Sequence, residues 1–586
     1  MVAVLAAALS VAACDSPSAD KPLDAATIAE RTRPALSPPA LLGRVEFKTC
    51  PLVTGGMDTL AECADLEVPL DWSSPDGAKV TFFVKRLLGT APGPHRQLWL
   101  LQGGPGGAGD GLEALAAEIA RADAALDVYI PDHRGTGRSE RLDCPNARGS
   151  LAFDYAICLK EMKIRWGIPG LATFSTTTAA RDVGHMIELV RKPGQEVHVY
   201  GISYGTYWAQ RYLQLFPTQP TAVALDGICQ SGLCSYLKMG YWFDRVGRKY
   251  LAECAADAVC SDKLGADPVE SVRAAIAKAN TGKCAGLTKI NGASLRKLYG
   301  MFIASFELRA LVPATAFRIL RCDADDVVAL KKFESVLTDD LGEGFSGFEG
   351  SAGSKNLTSD VLGMHIAFSE LEEDPPISRT DLADLLSDAV FTAYDPKLRD
   401  AYDMWPRYAP DGLVGKYPDS NVPVLMMNGT LDPQTPLEFA QAIAPHYIAA
   451  SQGLIVLPRA AHGVIHQSPT SGGTTVPSCG MMLWHQFLES PTVPLNAACR
   501  ANILPHDFAG SPDLAERFFG TPTLWGPVAA AAQPPSPCSA CSACSPCSAR
   551  SARSAQPGSP SARLAAEVKH AALTARPWQT PLGNSL

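Results

Sequence analysis

From about Phe47 onward, short apolar runs that stop at glycine alternate with longer stretches whose apolar residues fall three and four apart. KVTFFVKRLL (79–88) alternates apolar and polar as a half-buried strand does. QLWLLQ (97–102), DVYIPD (127–132), EVHVYG (196–201) and AVALDG (222–227) are short apolar runs bounded by turn residues. VPVLMMNG (422–429) and GLIVLP (453–458) have the same form. Several are apolar on both faces, as in a sheet covered on both sides. Between them, STTTAARDVGHMIELVRK (175–192) opens on Ser/Thr caps and keeps helical spacing, as do GTYWAQRYLQLF (205–216), LEFAQAIAPHY (437–447) and the closing CGMMLWHQFLES (479–490). Strands alternating with helices predict an α/β fold with a mostly parallel sheet. From about Ile228 to Tyr417 the strand signals fade, and VESVRAAIAKAN (269–280), SLRKLYGMFIASFELRALV (294–312) and RTDLADLLSDAVFTAY (379–394) read as helices inserted before the next strand.

The chemistry gathers where strands end. Gly201-Ile202-Ser203-Tyr204-Gly205 follows one strand and opens a helix. That context turns a G-x-S-x-G pattern into a nucleophile elbow, with the Ser203 hydroxyl pushed outward and the Tyr204 N–H facing an attacked carbonyl. The bulk-free QGGPGGAG (102–109) lets backbone approach a ligand, and the Gly104 N–H is the expected second oxyanion donor, with Gly103 as the alternative. It lacks the lysine of a phosphate-binding loop and the spacing of a dinucleotide fingerprint. A serine needs a base, and the base an orienting acid, in the chain order Ser, acid, His. NGTLDPQTP (428–436) offers Asp432 and PRAAHGV (458–464) offers His462, each just past a strand. Asp226 is a rival acid, and His466, His133, His185 and His198 are rival bases placed less well for the role.

GGPGGAG, DHRGTGRS, GISYGT, NGTLDPQTP and AAHGV occur in that order. Together they resemble the α/β-hydrolase family of tripeptidyl aminopeptidases and proline iminopeptidases, nearer the exported bacterial tripeptidyl aminopeptidase branch. ECADLEVPLDW (62–72) and the cysteine near the last helix are similar to that branch too, and the likeness runs over about residues 45 to 505. It implies an α/β-hydrolase fold, Ser203 as nucleophile, Asp432 as acid, His462 as base, no cofactor or metal, and short peptides as substrates. Where proline iminopeptidases carry a histidine before the two glycines, this chain has Gln102. An exopeptidase must hold a free α-ammonium. FSELEEDPP (368–376) offers Glu370, Glu372, Glu373 and Asp374, of which Glu370 is the single candidate, although charge runs are usually solvated surface. An esterase on the same scaffold and a non-catalytic envelope protein are the alternative readings.

The length of 586 residues, with 46% hydrophobic and 19% charged residues, fits a large globular protein. A net charge of -9 without a basic run gives no footprint for nucleic acid. MVAVLAAALSVAAC (1–14) reads as an export signal ending in a lipobox-like Val11-Ala12-Ala13-Cys14, with Cys14 as the lipid acceptor and the expected location the bacterial envelope or outside the cell. Seventeen cysteines suit an oxidising compartment. Neighbours in sequence suggest Cys50–Cys63, Cys144–Cys158, Cys254–Cys260 and Cys479–Cys499, although sequence alone leaves connectivity open. The resulting plan is signal 1–14, tether 15–43, sheet core 44–228, helical cap 229–417, second part of the core 418–527, and a low-complexity tail 528–586. The tail's Cys538, Cys541, Cys544 and Cys547 lie in a three-residue repeat with nothing around them to build a metal site.

Overall fold

The computed structural model describes residues 45–58, 60–147, 154–282, 284, 290–339, 357–392, 397–471 and 476–526. The signal, Cys14, the tether, the cysteine-rich tail and the end of the 379–394 segment lie outside the described residues.

Nine strands form one sheet: β1 (Lys48–Cys50), β2 (Ala61–Pro69), β3 (Lys79–Leu87), β4 (Arg96–Leu101), β5 (Leu126–Pro131), β6 (Val197–Ile202), β7 (Ala222–Asp226), β8 (Val424–Gly429) and β9 (Gln452–Leu457). Their order is β1-β2-β3-β5-β4-β6-β7-β8-β9. β1, β2, β3 and β5 pair antiparallel, and every pairing from β5–β4 across to β8–β9 is parallel. This is the α/β-hydrolase fold. Alternation along β4 shows why it sits at the centre. Trp99 and Leu101 enter the core on one face, and Leu98 and Leu100 the core on the other. The first face is covered by the helices Tyr155–Leu171, Thr176–Val190 and Tyr204–Leu215. The second is covered by Glu113–Ala122 and Cys479–Glu489.

Between β7 and β8 the chain is helical, from Met239–Ala256 to Lys397–Met404. These helices bury a separate core around Phe243, Tyr250, Leu298, Phe302 and Phe333. The single helix expected over 294–312 is broken into Gly292–Ile303, a tight turn at Leu308–Ala310, and Leu311–Arg321. The helix Pro512–Phe519, grouped with the sheet in the sequence reading, instead sends Phe518 and Phe519 into the core of the insertion. Six disulfides join described cysteines. They are the four sequence-neighbour pairs together with Cys229–Cys234 and Cys284–Cys322. Among the described residues no helix is long and apolar enough to cross a membrane.

Candidate active site

Ser203 stands between β6 and the helix Tyr204–Leu215 with φ 57° and ψ -129°. An L-residue holds that conformation only when its surroundings over-determine it. Here they do: Ser203 N–H donates to Asp226 O on β7 at 2.9 Å, and Ser203 O accepts from the Thr206 hydroxyl at 2.6 Å. The flanking glycines are required by space. A Cβ on Gly201 would stand 2.2 Å from Gly205 O, and one on Gly205 2.2 Å from Leu101 O. The turn thus lies directly against the end of β4, where the glycine loop begins.

Asp432 and His462 meet at the ends of β8 and β9. Asp432 Oδ2 accepts from His462 Nδ1 at 2.8 Å and from the Thr435 hydroxyl at 2.8 Å. Its Oδ1 accepts the N–H groups of Gln434 and Thr435, both at 2.9 Å. Because the carboxylate only accepts, Nδ1 carries the proton and Nε2 is left with a lone pair. Burial alone would lower the imidazole pKa, but the charges of Asp432 and Asp226 outweigh it and raise the group above its ordinary 6.5. Asp226 has a different task. Its carboxyl accepts from Val464 N–H at 2.8 Å, Ile465 N–H at 3.2 Å and the Tyr200 hydroxyl at 3.0 Å, tying the end of β7 to the turn just past His462. Burial raises it to about 6.

Ser203, Tyr204, Gly103, Gly104 and His462 line one cavity. Tyr204 is the first residue of its helix, so its N–H has no partner within the helix. The Gly103 N–H is already taken by Gln102 Oε1 at 2.8 Å. Of the two glycines expected as second oxyanion donor, Gly103 is thus the one whose N–H is engaged. Asp132 anchors this loop from the end of β5 by accepting Gly109 N–H at 2.7 Å and Arg138 N–H at 2.8 Å, and burial raises its carboxyl to about 7.

The remaining candidates separate by their surroundings. His133 is neutral, pulled down to about 3 by burial. Its Nδ1 donates to Arg134 O at 2.7 Å, and its Nε2 accepts from the Tyr204 hydroxyl at 3.1 Å, beneath the elbow. His462 is the one histidine among the described residues that line the cavity. Glu370 is away from the cavity wall, and both its oxygens are engaged. Thr176 N–H donates at 2.9 Å, Tyr207 at 3.0 Å and Tyr408 at 2.5 Å, with Arg211 at 3.7 Å. It ties the insertion to the two helices that cover the elbow. Glu373 pairs with Lys238 at 2.5 Å. Glu372 has no cationic partner among the described residues. It accepts from the Ser235 hydroxyl and from the N–H groups of Tyr236 (2.9 Å) and Leu237 (3.3 Å), and burial raises it to about 7. Ser235, Tyr236 and the preceding Leu371 all line the cavity. Sequence offered Glu372 as one of four acids, and no local signal marked it out.

Two family models match separate stretches of the chain. Residues 98–262 match the family model for the alpha/beta hydrolase fold, and residues 395–499 the model for a TAP-like protein. The tripeptidyl aminopeptidases of Streptomyces lividans and Streptomyces coelicolor are each 26% identical over 196 residues, 28% of this chain and 35% of theirs. The chain thus spans about a third of the length of the curated relatives it matches. Among solved structures it is similar to a putative lipase from Acinetobacter baumannii AYE (14% identity, 77% of this chain and 93% of the other, TM-score 0.28). It is also similar to a proline iminopeptidase-related protein from Thermus thermophilus (16% identity, 69% and 92%, TM-score 0.30). At these scores the two likenesses carry no argument about activity. The first matched stretch holds the elbow and the second the two loops that come to meet it, so the chain has the α/β-hydrolase fold and is similar over these stretches to TAP-like proteins.

Proposed function

We propose that the protein is an exported serine peptidase that removes residues from the free N-termini of short peptides. One observation carries the reading: His462, backed by Asp432 at 2.8 Å, shares a cavity with a serine held at a strained elbow. In the mechanism, His462 Nε2 takes the Ser203 proton as Oγ attacks the scissile carbonyl. The oxyanion is met by the N–H groups of Tyr204 and Gly104. His462 then hands the proton to the leaving amine, and water, activated by the same imidazole, releases the acyl group. Asp432 keeps Nδ1 protonated and stabilises the imidazolium. The substrate's α-ammonium goes to Glu372 in place of the Glu370 expected from sequence, because Glu370 already has an arginine and two tyrosines. Export draws its support from the six disulfides and the apolar leader, with Cys14 as the proposed lipid anchor.

A second reading, an esterase for uncharged substrates, is favoured by the cavity lining, in which, among the described residues, His462 is the only ionisable side chain apart from Tyr204 and Tyr236. A panel of N-terminally free and N-blocked mono-, di- and tripeptide amides beside simple esters separates the two. Selective cleavage of the free tripeptide is expected, and ester-only turnover would overturn the peptidase reading. Ser203→Ala should lower turnover by about 10⁶-fold if the triad acts as a unit.

A further inference from the structure

A buried cation outside the triad has no role in the mechanism above. Arg309 lies in the tight turn Leu308–Ala310 of the helical insertion and is 1% exposed. Among the described residues no carboxylate lies within ion-pair distance of it, and its Nη2 is buried without a partner. A buried charge without an ion pair is costly, so its placement calls for a reason. Its Nε donates to Ser305 O at 3.1 Å, and its Nη1 crosses to the sheet and donates to Arg459 O at 3.0 Å.

Arg459 opens the loop that carries His462, and its φ of 59° is one of four positive values among described non-glycine residues. Several contacts fix it there. Its N–H donates to the Thr430 hydroxyl at 2.7 Å, and its guanidinium donates to Leu504 O at 2.9 Å and Ile503 O at 2.5 Å. At the far end of the same loop, Phe306 N–H of the insertion donates to Gln467 Oε1 at 2.7 Å. Gln467 O in turn accepts the N–H of Ala461, the neighbour of His462, at 3.3 Å. Residues 305–309 therefore grip the histidine loop at both ends.

We propose that Arg309 is a positioning residue: it clasps the loop bearing His462 to the helical insertion and sets its positive charge against Asp432. The groups around it are Tyr250 and Glu253 on the helix Met239–Ala256, Asp432 beyond β8, and Arg459 and His506. Burial lowers the guanidinium to about 10, so it is charged at neutral pH. His506 is neutral there, lowered to about 3 by burial and by the two arginines. His462 itself faces Asp432 and Asp226. With the Arg309 charge removed, these carboxylates act on the imidazole with less opposition. Its pKa rises, and the acid limb of activity moves to higher pH.

The inference rests on Ser203 being the nucleophile, so the test avoids the choice of substrate. A fluorophosphonate reacts with Ser203 by forming the Oγ–P bond and expelling fluoride, while His462 takes the hydroxyl proton. Its labelling rate is followed against pH in wild type, Arg309→Met and Arg309→Lys, with melting temperatures measured alongside. Arg309→Met should label about 10- to 100-fold more slowly at the plateau, with the acid limb raised by about half to one pH unit. Arg309→Lys keeps the charge but is too short to hold Arg459 O. It should lose plateau rate with its acid limb in place. Wild-type plateau rates in both variants, or an unmoved limb in Arg309→Met, would overturn the proposal. If Arg309→Met does not fold, the plateau rate of Arg309→Lys decides: a reduced rate supports the clasp and a wild-type rate ends it. A wild type that does not label sinks the serine-hydrolase reading and the clasp together. Labelling without peptide cleavage sinks only the peptidase reading.

Discussion

Of the residues proposed to do the chemistry, Ser203 is held by Asp226 O and His462 by Asp432, while Asp432 itself accepts from Gln434 and Thr435 just beyond it. The imidazole must be neutral to accept the serine proton, and its pKa is raised above 6.5 by Asp432 and Asp226 against the effect of burial. The acid limb of kcat/KM should therefore lie above pH 6.5, and a kcat/KM profile on an uncharged ester checks it. The same shift has a stability sign. A folded pKa above the unfolded one contributes stability that is full below the unfolded pKa and is lost as pH rises through the folded value. Glu372 gives a second prediction at this scale. With its carboxyl raised to about 7, it is ionised only above that pH, while a peptide α-ammonium deprotonates near pH 8. KM for a free tripeptide amide should be lowest between these limits. Glu372→Gln should raise it about 10-fold or more with little change for the N-blocked substrate, and equal effects on both would remove Glu372 from the ammonium site.

Among the elements, the ends of β4, β6, β7, β8 and β9 supply the site, and their glycine-punctuated apolar runs were readable because a strand buried on both faces has few polar positions. The loops just past β8 and β9 gave Asp432 and His462 for the same reason. The short β1 and the hairpin partner β2 were not read as strands. They pair antiparallel at the sheet edge, where alternation is partial: β2 buries Cys63 and Leu66 but exposes Asp65 and Glu67. The break in the 294–312 helix was hidden as well, because its apolar spacing continues through Phe306 and Leu308. A prediction belongs to the join between elements. Asp226→Asn loses a buried charge that faces His462 and one of the acceptors for the turn at Val464 and Ile465. The acid limb of kcat/KM should move down in pH, opposite in sign to Arg309→Met, with a drop in kcat of about 10-fold or more. A limb that stays in place would show that Asp226 acts on His462 through geometry alone.

Over the whole molecule, the helical insertion has its own core, with two disulfides in it, and takes in the helix Pro512–Phe519 that returns to it after β9. Cys284–Cys322 closes a separation of 38 residues there, worth about 4 kcal/mol on the chain-entropy model. Cys322→Ser should lower the melting temperature while fluorophosphonate labelling of the folded protein stays near wild type, since this bridge lies away from the cavity. The sequence by itself determined which residues are candidates for the chemistry and in what order they come: an elbow serine, an acid and a histidine, each after a strand, and a glycine loop with little bulk to keep a ligand away. Those signals are local, carried by spacing within about ten residues. Which carboxylate sits beside cavity-lining residues, and which one braces the fold, was decided only by tertiary contacts. Glu370 is engaged by Thr176, 194 residues away, Asp226 by Val464, 238 away, and Glu372 by Tyr236, 136 away. The four acids of one short segment look alike along the chain. Packing alone gives one of them an arginine, one a lysine, and one a set of neutral donors, two of which, Ser235 and Tyr236, line the cavity.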